Sequence, residues 1–105
     1  MLLVQKFGGT SVADADAIRR LLEIVRHARA EHGRGPVVVV SAMSGVTDGL
    51  LHVATGAGEG HGDDAHARLR QIRERHLAVI EAVANGERAK TAVTFTNEQF
   101  DELES

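Results

Sequence analysis

The residues best suited to chemistry stand at positions 6–11, which read Lys-Phe-Gly-Gly-Thr-Ser. Adjacent glycines let a backbone approach a bulky anion and turn its N–H groups inward, while Thr10 and Ser11 add hydroxyl donors. The ammonium group of Lys6 can neutralise the charge that develops as a phosphoryl group leaves. We therefore predict that residues 6–11, here called the phosphate loop, bind phosphate through Gly8 and Gly9.

The same residues also have a structural explanation. Gly8 and Gly9 could form a tight turn between a strand and a helix, with Ser11 as an ordinary N-cap and Asp14 as its capping partner. The segment contains neither the G-x-x-x-x-G-K-[ST] motif of P-loop proteins nor the G-x-G-x-x-G dinucleotide fingerprint. Local features leave the phosphate-site and structural explanations open.

A second group of small and hydroxyl-bearing residues occupies positions 41–47, here called the second loop, which read Ser-Ala-Met-Ser-Gly-Val-Thr. It follows four consecutive valines. Ligands of open α/β sheets bind beyond the carboxyl ends of the strands, so both loops are expected to face one crevice. Ser41, Ser44 and Thr47 are candidate ligands for a polar substrate, or alternatively helix caps and turn residues.

The elements that position these loops follow from the apolar pattern. Residues 2–7 and 37–40 are short apolar runs, which we predict to be buried strands. A helix ended by Gly33 and Gly35 is predicted between them, because its apolar residues recur every three or four positions: Ile18, Leu21, Leu22, Val25 and Ala28. Strand, helix and strand in this order predict a right-handed parallel crossover and an α/β fold.

Three further helices are predicted downstream. The first covers about residues 46–54 and ends in a glycine-rich loop at 56–62, and the second covers about residues 65–84. In the second we expect His76 to be packed and hydrogen-bonded and the arginines to form a solvated face. Thr96 and Gln99 resemble a capping box, which predicts a last helix from about residue 97.

Composition excludes several classes of function. The 105 residues carry a formal net charge of -3 and only 3% aromatic residues, which gives no broad basic or base-stacking surface for nucleic acid. The absence of cysteine excludes disulfides and thiolate sites. The initial apolar run, residues 1–4, is too short for a signal peptide, and no stretch is long enough to span a membrane, so we expect a cytoplasmic protein.

A metal site is not predicted. His61, Asp63, Asp64 and His66 fall in one short stretch, but its glycines make it a poor frame for ligands that need rigid support. We expect these side chains to be solvated.

The two loops together resemble the signature segments of the aspartokinases, in residues 6–12 and 39–47. Other amino-acid kinases, such as glutamate 5-kinase, acetylglutamate kinase and uridylate kinase, usually open with a lysine, an apolar residue, two glycines and a serine. The resemblance implies the parallel-sheet αβα sandwich of the amino-acid kinase (carbamate kinase-like) type, with residues 1–105 as its N-terminal portion and no second domain.

The resemblance also implies a reaction, transfer of the γ-phosphoryl of ATP, with Mg²⁺, to the β-carboxylate of L-aspartate, on the way to lysine, threonine and methionine. Lys6 matches the lysine that contacts phosphate, Gly8 and Gly9 match the nucleotide loop, and Thr10 and Ser11 lie beside the transferred phosphoryl. Ser41 and Thr47 match positions that contact aspartate. A homo-oligomer is implied for the full-length enzyme.

Two alternatives to this function remain open, another kinase of the same superfamily and a non-catalytic phosphate-binding or assembly module. The family's later acidic residue, its arginine-bearing aspartate loop, its base-binding segment and its regulatory domains match nothing in residues 1–105. We therefore expect a fragment of a longer chain.

From this we predict that residues 1–105 alone have no aspartate kinase activity, because groups that the family uses to align both substrates are missing. A coupled ATP assay on the purified chain should show no turnover above a blank without aspartate. Aspartate-dependent release of ADP would contradict the prediction.

Overall fold

The computed structural model describes residues 2–105, so Met1, the first residue of the initial apolar run, lies outside it. The chain forms two compact units, the first ending at Ser44 and the second running from Gly45 to Ser105. Each is described by itself. The prediction that residues 1–105 belong to one domain stays a prediction.

The first unit contains two strands and one long helix. Strand β1 covers Val4–Phe7, a short 3-10 helix covers Gly9–Val12, helix α1 covers Ala15–His32, and strand β2 covers Val37–Val40. The strands are parallel, with Val4 opposite Val37 and Phe7 opposite Val40. The predicted strand, helix and parallel strand are therefore confirmed, although β1 begins at Val4 rather than at residue 2.

The strands are not buried as we predicted. The four valines of β2 are 38–55% exposed, and Val4 in β1 is 56% exposed. Parallel sheets normally have both faces covered by helices, and two strands beside one helix do not make a complete layered sheet. The valine run predicts strand β2 correctly, but the apolar surface of that strand is exposed.

Helix α1 does not begin at Ser11, which the structural explanation of the phosphate loop had as its N-cap. Its N-cap is Asp14, whose backbone is extended and whose carboxylate accepts a hydrogen bond of 2.8 Å from the N–H of Ala17. Ser11 lies earlier, inside the 3-10 helix, where its N–H donates to the carbonyl of Gly8 at 3.0 Å. The assignment of Ser11 as N-cap in that explanation is wrong, because the 3-10 turn delays the start of α1.

The far end of α1 follows the prediction. Gly33 is the C-cap and has a φ of 72°, a left-handed conformation that costs glycine little. Inside the helix, three residues of the predicted apolar face or its neighbours are buried: Ala17, Leu21 and Ala28.

The second unit consists of three helices, α2 (Val46–Gly58), α3 (Gly62–Val83) and α4 (Gly86–Glu104). Helix α2 packs on α3 and α3 packs on α4. Helix α2 approaches α3 closely at Gly49, where an added Cβ would lie 3.1 Å from Cδ1 of Ile72. The buried residues of the unit are Val46, Gly49, Ala65, Leu69, Ile72 and Phe100.

The predicted loop at residues 56–62 is wrong over most of its length. Helix α2 continues to Gly58, and a Schellman motif ends it, with Gly60 left-handed at a φ of 84°. The N–H of His61 donates to the carbonyl of Gly56 at 2.8 Å, and that of Gly60 donates to Ala57 at 3.3 Å. The glycines that suggested a loop therefore belong to helix α2 as far as Gly58, and Gly60 is the left-handed residue that ends it.

The start of α4 was also predicted wrongly. The helix begins at Gly86, so that Thr96 and Gln99 lie inside it and do not form a capping box. Threonine and valine lower the helix propensity of residues 91–96, but tertiary packing on α3 outweighs that cost. The hydroxyl of Thr91 donates to the carbonyl of Glu87 at 2.9 Å, as threonines inside helices often do.

Helix α3 carries both a confirmed and a wrong prediction. His76 is half-buried, its Nδ1 lies 2.8 Å from the carbonyl oxygen of Ile72, and its ring centroid lies 5.5 Å from that of Phe100. Its packing is confirmed. Arg73 does not belong to a solvated face, because its side chain is only 18% exposed and contacts Asp101 at 2.8 Å.

The observed helix start gives a test. We expect Asp14→Ala to lower the free energy of unfolding by about 1 kcal/mol, because the N–H of Ala17 loses its acceptor. Ser11→Ala should change it by less than about 0.5 kcal/mol, since Ser11 caps nothing. Urea unfolding followed by circular dichroism compares the two variants. A larger loss for Ser11→Ala than for Asp14→Ala would contradict the assignment.

Candidate functional site

The edge of the sheet beyond Phe7 and Val40 carries the phosphate loop and the start of the second loop. Parallel pairing extends one residue past β2, where the N–H of Ser41 donates to the carbonyl of Phe7 at 3.2 Å. Both strands therefore end at the same level, and the chain turns away from each at Gly8 and Ser41.

Gly9 lies close to the first residues of the second loop. A Cβ added to Gly9 would lie 3.7 Å from the carbonyl oxygen of Ala42 and 3.8 Å from Oγ of Ser41. These are ordinary van der Waals distances, so a side chain of one carbon at position 9 would just touch the second loop. The structure brings together the glycine of one predicted site and the serine of the other.

Lys6 and Phe7 point to opposite faces of β1, because side chains alternate along a strand. Lys6 is exposed, as is Val4, whereas Gln5 and Phe7 are half-buried. The Lys6 ammonium group has no hydrogen-bond or ion-pair partner within residues 2–105. Lys6 is the first residue of the phosphate loop, two positions before Gly8, and is available to an anion.

Thr10 and Ser11 are exposed and belong to the 3-10 helix. They line a cleft of about 240 Å³, here called the α1 cleft, together with residues of β1 and α1: Phe7, Ala17, Arg20, Leu21 and Ile24. Because Asp14 caps α1, the Ser11 hydroxyl is not used for capping. Sequence reasoning missed Arg20, which it placed on the polar side of the helix.

Ser41 is exposed, and its hydroxyl donates to the carbonyl of the next residue, Ala42, at 3.0 Å. Thr47 belongs to the second unit, where it is exposed in the first turn of α2. The N-cap of α2 is Gly45, with a φ of 83° and no side-chain capping bond. Capping of α2 therefore does not account for Thr47.

Arg75 is a second residue that sequence reasoning missed. A Cβ added to Gly45 would lie 3.9 Å from Nη1 of Arg75, so this guanidinium reaches from α3 to the start of α2. The pattern of α3 had indicated a solvated arginine. Only the packing of α3 against α2 reveals its position, since no local sequence signal distinguishes it from the other arginines.

The residues considered for a metal lie at the start of α3. His61 is the N-cap of that helix, Asp63 and Asp64 follow in its first turn, and Nδ1 of His66 lies 2.8 Å from the carbonyl oxygen of Gly62. Within residues 2–105 no group of three or more His, Cys, Asp or Glu side chains is arranged to hold a metal ion. In the same part of the chain, no helix has the length and apolar character needed to cross a membrane.

Residues 1–101 match the amino acid kinase family. The chain belongs to this family. The α/β class predicted from the sequence is thereby confirmed, with this chain corresponding to the N-terminal part of the amino-acid kinase fold.

The relatives of this family member include several aspartokinases. Those of Mycobacterium bovis and Mycolicibacterium smegmatis are 55% identical over 53 residues and 57% identical over 54 residues, in each case 50% of this chain. The chain spans only 12% of the length of these two relatives. The predicted resemblance to aspartokinases is confirmed.

A solved structure is similar over almost the whole chain. Escherichia coli aspartokinase III, in complex with lysine and aspartate, matches with a TM-score of 0.71 and 30% sequence identity. The match covers 98% of this chain and 21% of that protein. Similarity in structure therefore extends past the two loops into the helices of the second unit.

The close approach at Gly9 gives a prediction. Gly9→Val should lower the free energy of unfolding by about 1–3 kcal/mol, because its Cβ would already be in van der Waals contact with Ala42 and Ser41 and two further methyl groups must be accommodated beside them. Gly8→Val is the matched control, since a Cβ on Gly8 meets nothing within 4 Å. Urea unfolding measures both. Equal losses would show that the two loops do not touch at Gly9.

Proposed function

We propose that this chain is the N-terminal part of the catalytic domain of an aspartate kinase and that its phosphate loop binds the phosphates of ATP. The observation that carries the proposal is the position of Gly9 beside Ser41 and Ala42, where an added Cβ would lie 3.7–3.8 Å from their oxygen atoms, so that a glycine-rich turn stands next to a hydroxyl-bearing one. Similarity to aspartokinases over half of the sequence and nearly all of the structure supports it.

The proposed roles are those that the resemblance to aspartokinases implies. Gly8 and Gly9 give the phosphates access to the backbone, and Thr10 and Ser11 donate hydroxyl hydrogen bonds beside the transferred phosphoryl. Lys6 neutralises negative charge as the phosphoryl leaves ADP. Its exposed position on β1 suits this role, as does its lack of a carboxylate partner among the described residues 2–105.

Ser41 and Thr47 are proposed to contact L-aspartate, the ligand present in the E. coli aspartokinase III structure. Each is exposed. The β-carboxylate of aspartate is ionised at neutral pH, so it can attack the γ-phosphorus without a general base. The protein must then align the two substrates and balance their charge.

ATP and Mg²⁺ are the proposed cofactors. The described residues fit the nucleotide's phosphates, because the loop presents glycine backbone, two hydroxyls and a cation. They offer no carboxylate at the loop for the metal, and the phosphates themselves would be its ligands in this part of the protein. When bound, the ion would screen phosphate charge during transfer.

Two further expectations belong to the whole protein. We propose a cytoplasmic location and a homo-oligomeric full-length enzyme. Both rest on resemblance to the aspartokinases, of whose length this chain spans about an eighth.

A non-catalytic phosphate-binding module is the second candidate function. The share of each relative that the chain covers, 12% of the curated aspartokinases and 21% of the solved one, favours it for the 105 residues on their own. Both candidates require phosphate binding, but only the first requires the rest of the catalytic domain for turnover.

Binding of ATP tests the proposal. We expect calorimetry to detect binding of ATP to the wild-type chain and Lys6→Ala to weaken it at least about tenfold, because a charge-assisted contact to phosphate is lost. Lys90→Ala is the matched control, since it removes the only other lysine, which pairs with Glu87 on α4. Unchanged binding by Lys6→Ala would argue against the proposed site.

A further inference from the structure

Among the described residues, Arg20 is the one charged residue that lines the α1 cleft. Thr10 and Ser11 of the phosphate loop form the polar part of the same lining, and the remaining lining residues are apolar. At about 240 Å³ the cleft is smaller than the usual pocket for a drug-sized ligand, so its size suits a compact group.

The ion pairs of α1 leave Arg20 unpaired. Its neighbours at helical spacing are Asp16 and Glu23, but Asp16 pairs with Arg19 at 2.7 Å and Glu23 pairs with Arg26. No hydrogen bond or ion pair engages Arg20 within the described part of the chain, residues 2–105. A guanidinium without a carboxylate therefore stands in a cleft that contains two hydroxyls.

This combination selects a phosphate group. Arginine presents its N–H donors in a planar fork that matches two oxygens of a phosphate, and threonine and serine hydroxyls can donate to the others. A carboxylate could also bind the guanidinium group of Arg20. Because a carboxylate has fewer oxygens than a phosphate, it would accept fewer hydrogen bonds from the two hydroxyls. Within the part of the chain that the structure describes, no acidic side chain lines the cleft to repel an anion.

The geometry points to Arg20 as a second phosphate-binding cation of the phosphate loop, acting with Thr10 and Ser11 in the α1 cleft. Lys6 and Phe7 alternate across β1, and Phe7 lines the cleft, so Lys6 and Arg20 flank the loop from opposite faces of the strand. The inference rests on the proposed function for the identity of the natural ligand, a phosphate of ATP. The expected binding of pyrophosphate does not depend on the proposed function.

Calorimetry with two probes, ATP and pyrophosphate, tests this role, with adenosine as the probe that lacks phosphate. Arg20→Gln should weaken binding of both phosphate probes at least about tenfold, because a charged donor pair is lost. Arg34→Gln is the matched control, since Arg34 is exposed in the turn after α1 and outside the cleft. We expect it to stay within about twofold of wild type, the effect of one distant surface charge.

The outcomes separate this inference from the proposed function. ATP binding that needs Lys6 but is unchanged in Arg20→Gln would overturn the role of Arg20 and leave the proposed function standing. Pyrophosphate binding that needs Arg20, without any ATP binding, would support the subsite and contradict the nucleotide site. If the wild-type chain binds neither probe, or binds adenosine as well as ATP, the subsite is wrong.

Circular dichroism of each variant shows whether the variant still folds. If Arg20→Gln loses helix content, Arg20→Lys replaces it, since lysine keeps the charge and the helix propensity but not the planar fork. Binding weakened by about threefold or more in a folded Arg20→Lys protein would support the role of the fork. Binding equal to wild type would overturn it.

Discussion

Parallel pairing of β1 with β2 is the interaction on which the candidate site depends. Hydrogen bonds from the N–H of Val37 to the carbonyl of Leu3, at 2.9 Å, and from Ser41 to Phe7, at 3.2 Å, mark the two ends of the ladder. A parallel pair needs a long crossover, which α1 provides, and it puts both carboxyl ends at one edge. Without this register Gly9 and Ser41 would not be neighbours.

The turn after β1 shows how local backbone geometry serves the loop. A 3-10 helix at Gly9–Val12 comes between the strand and α1, and Asp14 takes over the capping of that helix. Thr10 and Ser11 are therefore left exposed with their hydroxyls unused by the helix start. Two hydroxyl donors therefore remain available at the site, because Asp14 caps α1.

The sheet of the first unit leaves apolar surface exposed. The valines of β2 have the composition of a strand covered on both faces, yet each is at least 38% exposed. In the second unit, by contrast, Arg73 bridges α3 to Asp101 and Glu104 of α4 and lies 5.6 Å from the ring centroid of Phe100. A helix forms its backbone hydrogen bonds within itself and can bury its apolar face against one other helix. A parallel sheet needs further strands and covering layers to do the same.

The sequence by itself determined the two strands, the α/β class, the family and the residues of both loops, because these depend on short apolar runs, glycines and hydroxyls that are adjacent in the chain. Tertiary structure alone decided the contact of Gly9 with Ser41, the position of Arg20 in the α1 cleft and the approach of Arg75 to Gly45. It also decided that α4 begins at Gly86, despite residues of low helix propensity. Local propensities are small compared with the packing of one element on another, so an arginine's partner or a helix's true start depends on residues distant in the sequence.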